Sequence, residues 1–279
     1  MILTIGATAH FGRQTVETLL EAGEPVRALT RDPNAANLPP GAQVVRGDLA
    51  APETLAPALD GVTSVFLVLP YGLDPAAFLD AAREAGVRRI VFLSSGAVVD
   101  GADRQPDVIA QYHHGVEKAI AATGADWTFL RLFFPAINAL SFGMQLTGGD
   151  VIRAPYAAAT SAPVHERDVA EVAARVLTSD GHAGRIYDLT GPESLTQADQ
   201  AAVLGQALGR PLTFEELDDQ PVREQMGRFM DADFVNALFD LMAATVGKPA
   251  VVNSTVEEIT GRPARSFAQW AADHTADFA

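Results

Sequence analysis

The string "GATAHFG" near the start of the chain holds the first residues able to do chemistry. Gly6, Thr8, Ala9, His10, Phe11 and Gly12 join an apolar run to a stretch whose Val16, Leu19 and Leu20 recur at helical spacing. A strand, a glycine turn and a helix in that order are suited to hold a dinucleotide pyrophosphate. One glycine permits the tight turn, one lets the backbone approach the phosphates, and one lets helix and strand pack closely. Gly6 and Gly12 fill the outer positions, and Ala9 stands where the middle glycine is expected. A methyl there either displaces the diphosphate or is accommodated if the local φ is negative. The same string also reads as an ordinary strand-to-helix turn.

Two further charges bear on a nucleotide. "VRALTRDP" ends its apolar run at Arg31 with no acidic residue in the last strand position. An Asp or Glu there accepts from a free ribose 2'-hydroxyl, whereas Arg meets a 2'-phosphate, so the expected cofactor is NADP(H) before NAD(H). Asp48 in "VVRGDL" sits where an adenine amino group is bound, or alternatively caps the next helix. On the substrate side, "LRLFFPAINAL" carries Phe133, Phe134 and Asn138 toward a cleft, and Tyr71 and Tyr156 are candidate aromatic walls. Such a cavity suits a small, flat, apolar or aromatic substrate. The two phenylalanines read equally well as packing residues.

These groups need a scaffold, and the apolar patterning supplies one. Candidate strands lie at 2–5, 26–30, 43–47, 64–69, 89–94 and 127–131, with helical stretches at 12–21, 52–59, 75–85 and 109–123 between them. Runs such as "VFLVLP" and "IVFLSS" are apolar on both faces, as parallel strands covered on both sides must be. The expected fold is α/β: a Rossmann-like doubly wound parallel sheet, with a smaller, mostly helical C-terminal substrate region. The expected boundary puts the nucleotide-binding core at 1–134 and the substrate region at 135–279, with one or more strands of the latter returning to the main sheet, and "GRIYDLTG" reads as one more strand. In that second part helices are expected at 166–177, 197–208, 222–244 and 267–278, while "NALSFGMQLTGGD" and "RAPYAAATSAPVHE" read as loops. Thr196 and Gly209 bracket one helix as its expected caps. Ligands of doubly wound sheets gather at strand C-terminal ends, so Leu69, Pro70, Ser94, Ser95 and Phe133 join the expected cofactor contacts.

Composition narrows the function. The 279 residues carry 35 acidic and 20 basic side chains, a net charge of −15, which repels nucleic-acid backbones. The chain has no cysteine, which excludes thiolate nucleophiles, thiolate metal sites and disulfides. No histidines stand at metal-ligand spacing with a suitable carboxylate, so no metal is expected, and His165 reads as a structural loop residue. With no apolar run of membrane-spanning length and no basic leader, the expectation is a cytoplasmic protein without membrane attachment, monomeric or homodimeric.

Across nearly the whole chain the sequence resembles the NmrA-like branch of the atypical short-chain dehydrogenase/reductases. The matching stretches are "GATAHFGRQTV", "VRALTRDP", "VVRGDL", "IVFLSSGA", "HHGVEKAIAATGADWTFLRLFFPAIN", "HERDVAEVAARVLTSDGHAGRIYDLTGPESLT" and "VEEITGRPARSFAQW". The resemblance implies a Rossmann domain that binds NAD(P). The superfamily's Tyr-x-x-x-Lys dyad does not carry over: aligned on Glu117, His113 takes the Lys position and Ile109 the Tyr position. Gly96 replaces the usual serine, although Ser94 and Ser95 remain nearby. A histidine at the Lys position is similar to the NmrA-like pattern and implies contact with nicotinamide or substrate. His113 is thus the candidate general acid, with an ordinary pKa near 6.5. Tyr112 is a substitute donor if the helix is rotated, and "YHH" otherwise reads as a solvated face. Glu117 and Lys118 are expected to meet solvent or neighbouring turns. The function expected is hydride transfer between NADP(H) and a quinone, enone or polyketide-type ketone. The alternatives are a non-catalytic NADP(H) sensor and a non-redox isomerase or cyclase.

Overall fold

The computed structural model describes residues 1–278. Its strands are β1 (Ile2–Thr4), β2 (Val26–Thr30), β3 (Gln43–Arg46), β4 (Ser64–Leu67), β5 (Arg89–Ser95), β6 (Asp126–Leu132), β7 (Val151–Ala154), β8 (Thr160–Ser161), β9 (Arg185–Leu189), β10 (Leu195–Thr196) and β11 (Thr213–Glu216). The helices are α1 (His10–Glu21), α2 (Ala56–Leu59), α3 (Ala76–Glu84), α4 (Val108–Ala122), α5 (Gly143–Leu146), α6 (Glu166–Thr178), α7 (Gln197–Ala207), α8 (Asp219–Met226), α9 (Ala232–Ala243), α10 (Thr255–Thr260) and α11 (Phe267–Asp273). Seven strands form a parallel sheet in the order β3-β2-β1-β4-β5-β6-β9. The order reverses between β1 and β4, and doubly wound sheets bind ligands at the crevice such a reversal opens.

Alternation within the strands explains the two helical layers. Ile2, Phe66 and Val91 face one core with Val16 and Leu19 of α1 and Val169, Val172 and Val176 of α6. Their neighbours Leu3, Val65, Leu67, Ile90 and Phe92 face the other, with Phe78 and Leu79 of α3 and Val116 and Ile120 of α4. A strand buried on both faces has no polar side to give, hence the unbroken apolar runs. "GRIYDLTG" supplies β9, which pairs with β6 at the edge of the main sheet. A third cluster gathers Ala136, Ile152, Leu204, Phe267 and Trp270 beyond the sheet's C-terminal edge.

The second half departs from expectation in four places, the first being "RAPYAAATSAPVHE", which reads as a loop but completes β7 and carries β8, paired with β10. The helix expected over 222–244 is two, α8 and α9, because Gly227 ends the first and Asp231 starts the second by accepting from the Phe234 N–H. The helix expected over 267–278 stops at Asp273, and 275–278 is a 3-10 turn. "NALSFGMQLTGGD" is ordered as a 3-10 helix over 136–142 followed by α5. Thr196 does cap α7, in a reciprocal box with Asp199, and Gly209 follows that helix at φ +69. No helix among the described residues is long and apolar enough to cross a membrane.

Candidate active site

The glycine turn is built as its spacing predicts. Gly6 has φ +74, a left-handed conformation that a side chain strains, and a Cβ on it would lie 2.9 Å from the Val68 Cβ. Gly12 is tighter: a Cβ there would meet the Gly6 carbonyl oxygen at 2.2 Å. Ala9 is the N-cap of α1 at φ −89 and ψ 164, ordinary extended backbone that carries a methyl without strain. Its side chain cannot cap, and the first turn holds no acidic residue. The amides opening α1 therefore keep their hydrogen-bonding capacity and the positive end of the helix dipole for an anion. Thr8, Ala9 and His10 are exposed around these amides, and Phe11 continues from them into the main cavity. This donor set, with backbone cleared by two glycines, fits a dinucleotide pyrophosphate.

Arg31 is exposed just past β2 and makes no ion pair among the described residues, so its guanidinium is available beyond the strand end. Asp48 follows β3 by two residues. One of its carboxylate oxygens accepts from the Ala50 N–H, forming an Asx turn in place of a helix cap.

Beyond α1 lies a cavity of about 680 Å³ at the C-terminal ends of β4, β5 and β6. Leu69, Tyr71, Ser94, Ser95, His113, Phe133, Phe134 and Asn138 line it on the sheet side, and Phe234, Leu238, Leu241 and Met242 of α9 close it from above. Its wall is overwhelmingly apolar. Tyr71 packs edge-on against Tyr112 and at a tilt against Phe234, with ring centroids 5.1 and 4.5 Å away, and so ties the α9 roof to α4. Gly96 has a local reason to be glycine: a Cβ there would enter the Phe133 ring at 2.6 Å.

His113 projects into this cavity from α4. Its Nδ1 lies 2.8 Å from the Ile109 carbonyl oxygen, which can only accept, so Nδ1 carries the proton and Nε2 is left as the unprotonated nitrogen of a residue that lines the cavity. Burial lowers its pKa below the usual histidine value, against the opposing pull of that carbonyl and of Glu117. Ile109 lines the cavity one turn earlier.

Three expectations are corrected here. Tyr112 does not open on the cavity: its hydroxyl donates toward the Pro70 and Leu73 carbonyls, each at 2.9 Å, and burial pushes its pKa up to about 12. It braces the loop after β4, and Pro70 contributes that carbonyl without lining the cavity itself. Tyr156 also lies away from it, at φ 61, with its hydroxyl held at 2.5 Å by Asp219 and 3.0 Å by Arg223. Glu117 is buried instead of solvated. Its carboxylate accepts from Arg131 of β6 at 2.8 and 3.0 Å and from the Ser94 hydroxyl at 2.6 Å. Ser94 therefore spends its proton inside the protein, and Ser95 accepts from the Ala97 N–H. Arg131 reaches onward to Asp100, whose carboxyl it holds below the usual range. Residues as remote in sequence as Asp100 and Arg131 gave no local signal of this network.

His165, expected to be structural, is the N-cap of α6: its Nδ1 accepts from the Arg167 N–H. Among the described residues no three His, Asp or Glu side chains are grouped to hold a metal.

Residues 6–180 match the NAD(P)H-binding family profile. The chain is 40% identical over 283 residues to (4-alkanoyl-5-oxo-2,5-dihydrofuran-3-yl)methyl phosphate reductase of Streptomyces griseus subsp. griseus, covering all of this chain and 99% of that protein. It is 35% identical over 286 residues to NAD(P)H azoreductase of Xenophilus azovorans, with 100% and 99% covered. The crystal structure of an NADPH-dependent quinone oxidoreductase from Escherichia coli, complexed with NADPH, superposes with a TM-score of 0.79 at 25% identity, covering 98% of this chain and 99% of that one.

Proposed function

The chain belongs to the NAD(P)H-binding family and is an NAD(P)H-dependent oxidoreductase, and from that premise we propose that it uses NADPH to reduce a quinone or enone held in the apolar cavity. The observation that carries this reading is the continuity of the site. Phe11, two residues past the uncapped N-terminus of α1, lines the same cavity as His113. The names of the relatives support it, since a dihydrofuranone, an azo compound and a quinone share an electron-poor conjugated system.

NADPH, when bound, supplies a hydride from its nicotinamide C4 to an electrophilic carbon of the acceptor. The residues do the rest. Gly6, Gly12 and the first turn of α1 bind the diphosphate, Arg31 meets the 2'-phosphate, and the walls around Phe133 and Phe134 exclude water and orient the acceptor. His113 delivers the proton that balances the incoming hydride. It must first be protonated at Nε2, and burial makes that form scarce near neutral pH.

The sign of the pH dependence follows. As pH rises through a pKa lowered below 6.5, the imidazolium is lost, so kcat/KM falls and log kcat/KM approaches a slope of −1. His113→Gln is expected to remove this limb and lower kcat/KM by about 100-fold. An unchanged profile in the variant would assign the proton to water.

The first experiment is a titration with NADPH and NADH followed by turnover with 1,4-naphthoquinone. Micromolar NADPH binding with NADH about tenfold weaker is expected, and Arg31→Ala is expected to erase most of that preference. Cofactor binding without turnover of quinones or enones would favour a sensor. Absence of binding would reject the oxidoreductase reading.

A further inference from the structure

The sequence contains two lysines, Lys118 and Lys248. Of the residues lining the cavity, Lys248 alone carries a fixed charge. It stands in the exposed loop after α9, at the end of the cavity formed by Thr160, Thr245, Ala250 and Val251.

The loop is held from both sides. The Thr160 hydroxyl lies 2.5 Å from the Lys248 carbonyl oxygen, and the Ala250 N–H donates to the Ser194 hydroxyl at 2.8 Å. The nearby polar wall is already engaged, since the Gln197 amide donates to the Pro155 and Tyr156 carbonyls. The Lys248 ammonium differs. It donates to the Ala244 carbonyl at 2.9 Å and makes no ion pair among the described residues, so two of its three N–H groups remain. In a chain of net charge −15, an ammonium at the rim of an apolar cavity sets a local field opposite to the protein's own.

We infer that Lys248 anchors a carboxylate or phosphate group carried by the substrate, whose apolar body fills the cavity. This rests on the reductase reading for the identity of the cavity, but the binding step can be tested without turnover. An exposed ammonium alone holds a small anion weakly, because water competes for both ions. A ligand whose apolar portion is buried beside it covers the ammonium and raises the local strength of the pair. The site therefore selects amphipathic anions over both inorganic phosphate and neutral analogues.

The two-lysine composition makes the test direct. ¹³C labelling of the lysine methylene next to Nζ reports on Lys118 and Lys248 with all three N–H groups of each intact, and Lys118→Arg and Lys248→Arg assign the signals. The labelled protein is titrated with octanoate, octyl phosphate, octanol and inorganic phosphate. The expected result is a saturable shift of the Lys248 signal with octanoate, octyl phosphate or both, at least about tenfold tighter than with inorganic phosphate, and with the Lys118 signal still. Whichever amphiphile binds more tightly identifies the anionic group. No Lys248 shift, or equal movement of both lysine signals, would overturn the inference.

Turnover separates this result from the reductase reading. A naphthoquinone bearing a short carboxylate or phosphate arm is expected to show a KM about tenfold below its hydroxyl-armed analogue. Lys248→Met should remove that difference by raising the KM of the anionic substrate to that of its hydroxyl-armed analogue. Lysine shifts without turnover of any naphthoquinone would count against the acceptor class alone.

Discussion

Replacing Arg131 with methionine is expected to destabilise the protein by about 3–5 kcal/mol, because it strands a buried carboxylate. Arg131 and Glu117 are each only 5% exposed in their side chains, and Arg131 supplies two of the hydrogen bonds that Glu117 accepts. Without it the Ser94 hydroxyl remains as the one partner. The double variant Glu117→Gln with Arg131→Met removes both charges and is expected to recover more than half of the loss, since removing both members of a buried pair costs far less than removing one. Urea denaturation of the single and double variants measures this. Equal destabilisation in both would mean that packing, not charge, makes the contact matter. The pair joins α4 to β6 directly behind His113, so a shift of the His113 pH limb in Arg131→Met is a further expected consequence.

The second large effect is on cofactor binding. Gly12→Ala places a methyl 2.2 Å from the Gly6 carbonyl oxygen, a backbone atom with no flexible side chain to yield. The strain is relieved by moving α1 away from the turn, at a cost of about 1–3 kcal/mol in stability. The same movement withdraws the amides from the diphosphate. Losing one charge-assisted hydrogen bond of about 2 kcal/mol raises the NADPH Kd about 30-fold. Ala9→Gly is the contrasting variant. Its φ of −89 is already comfortable for alanine, so the Kd is expected to change by less than about threefold. Calorimetry on the two variants, with thermal unfolding as a control for folding, separates a packing requirement at Gly12 from a tolerated substitution at Ala9. A large gain in affinity from Ala9→Gly would show instead that the methyl obstructs the phosphates.

Much of the fold was legible because its signals are local. Apolar runs between helical repeats specify parallel strands buried on both faces, and β2 is found over the residues that the pattern marks. The glycine turn was legible for the same reason: Gly6 and Gly12 answer to backbone crowding within one turn of chain. His113 could be nominated, since its place on α4 follows from helical periodicity and from the family resemblance. Tyr112, its neighbour, could not be judged, because a helix that carries both side chains turns one into the cavity and the other onto the loop after β4.

What tertiary structure alone decided is how distant groups meet. Glu117 and Ser94, expected to meet solvent and cofactor, instead join Arg131 in one buried network with the exposed Asp100 at its edge, and do so only when β5, β6 and α4 pack together. Lys248 gave no signal along the chain, because an isolated lysine in a loop is ordinarily solvated. It acquires a role only when α9 folds over the sheet and brings that loop to the cavity rim. Backbone geometry and apolar periodicity are short-range and survive in a linear sequence. The pairing of charges depends on which surfaces the core brings together, and only the packed chain determines that.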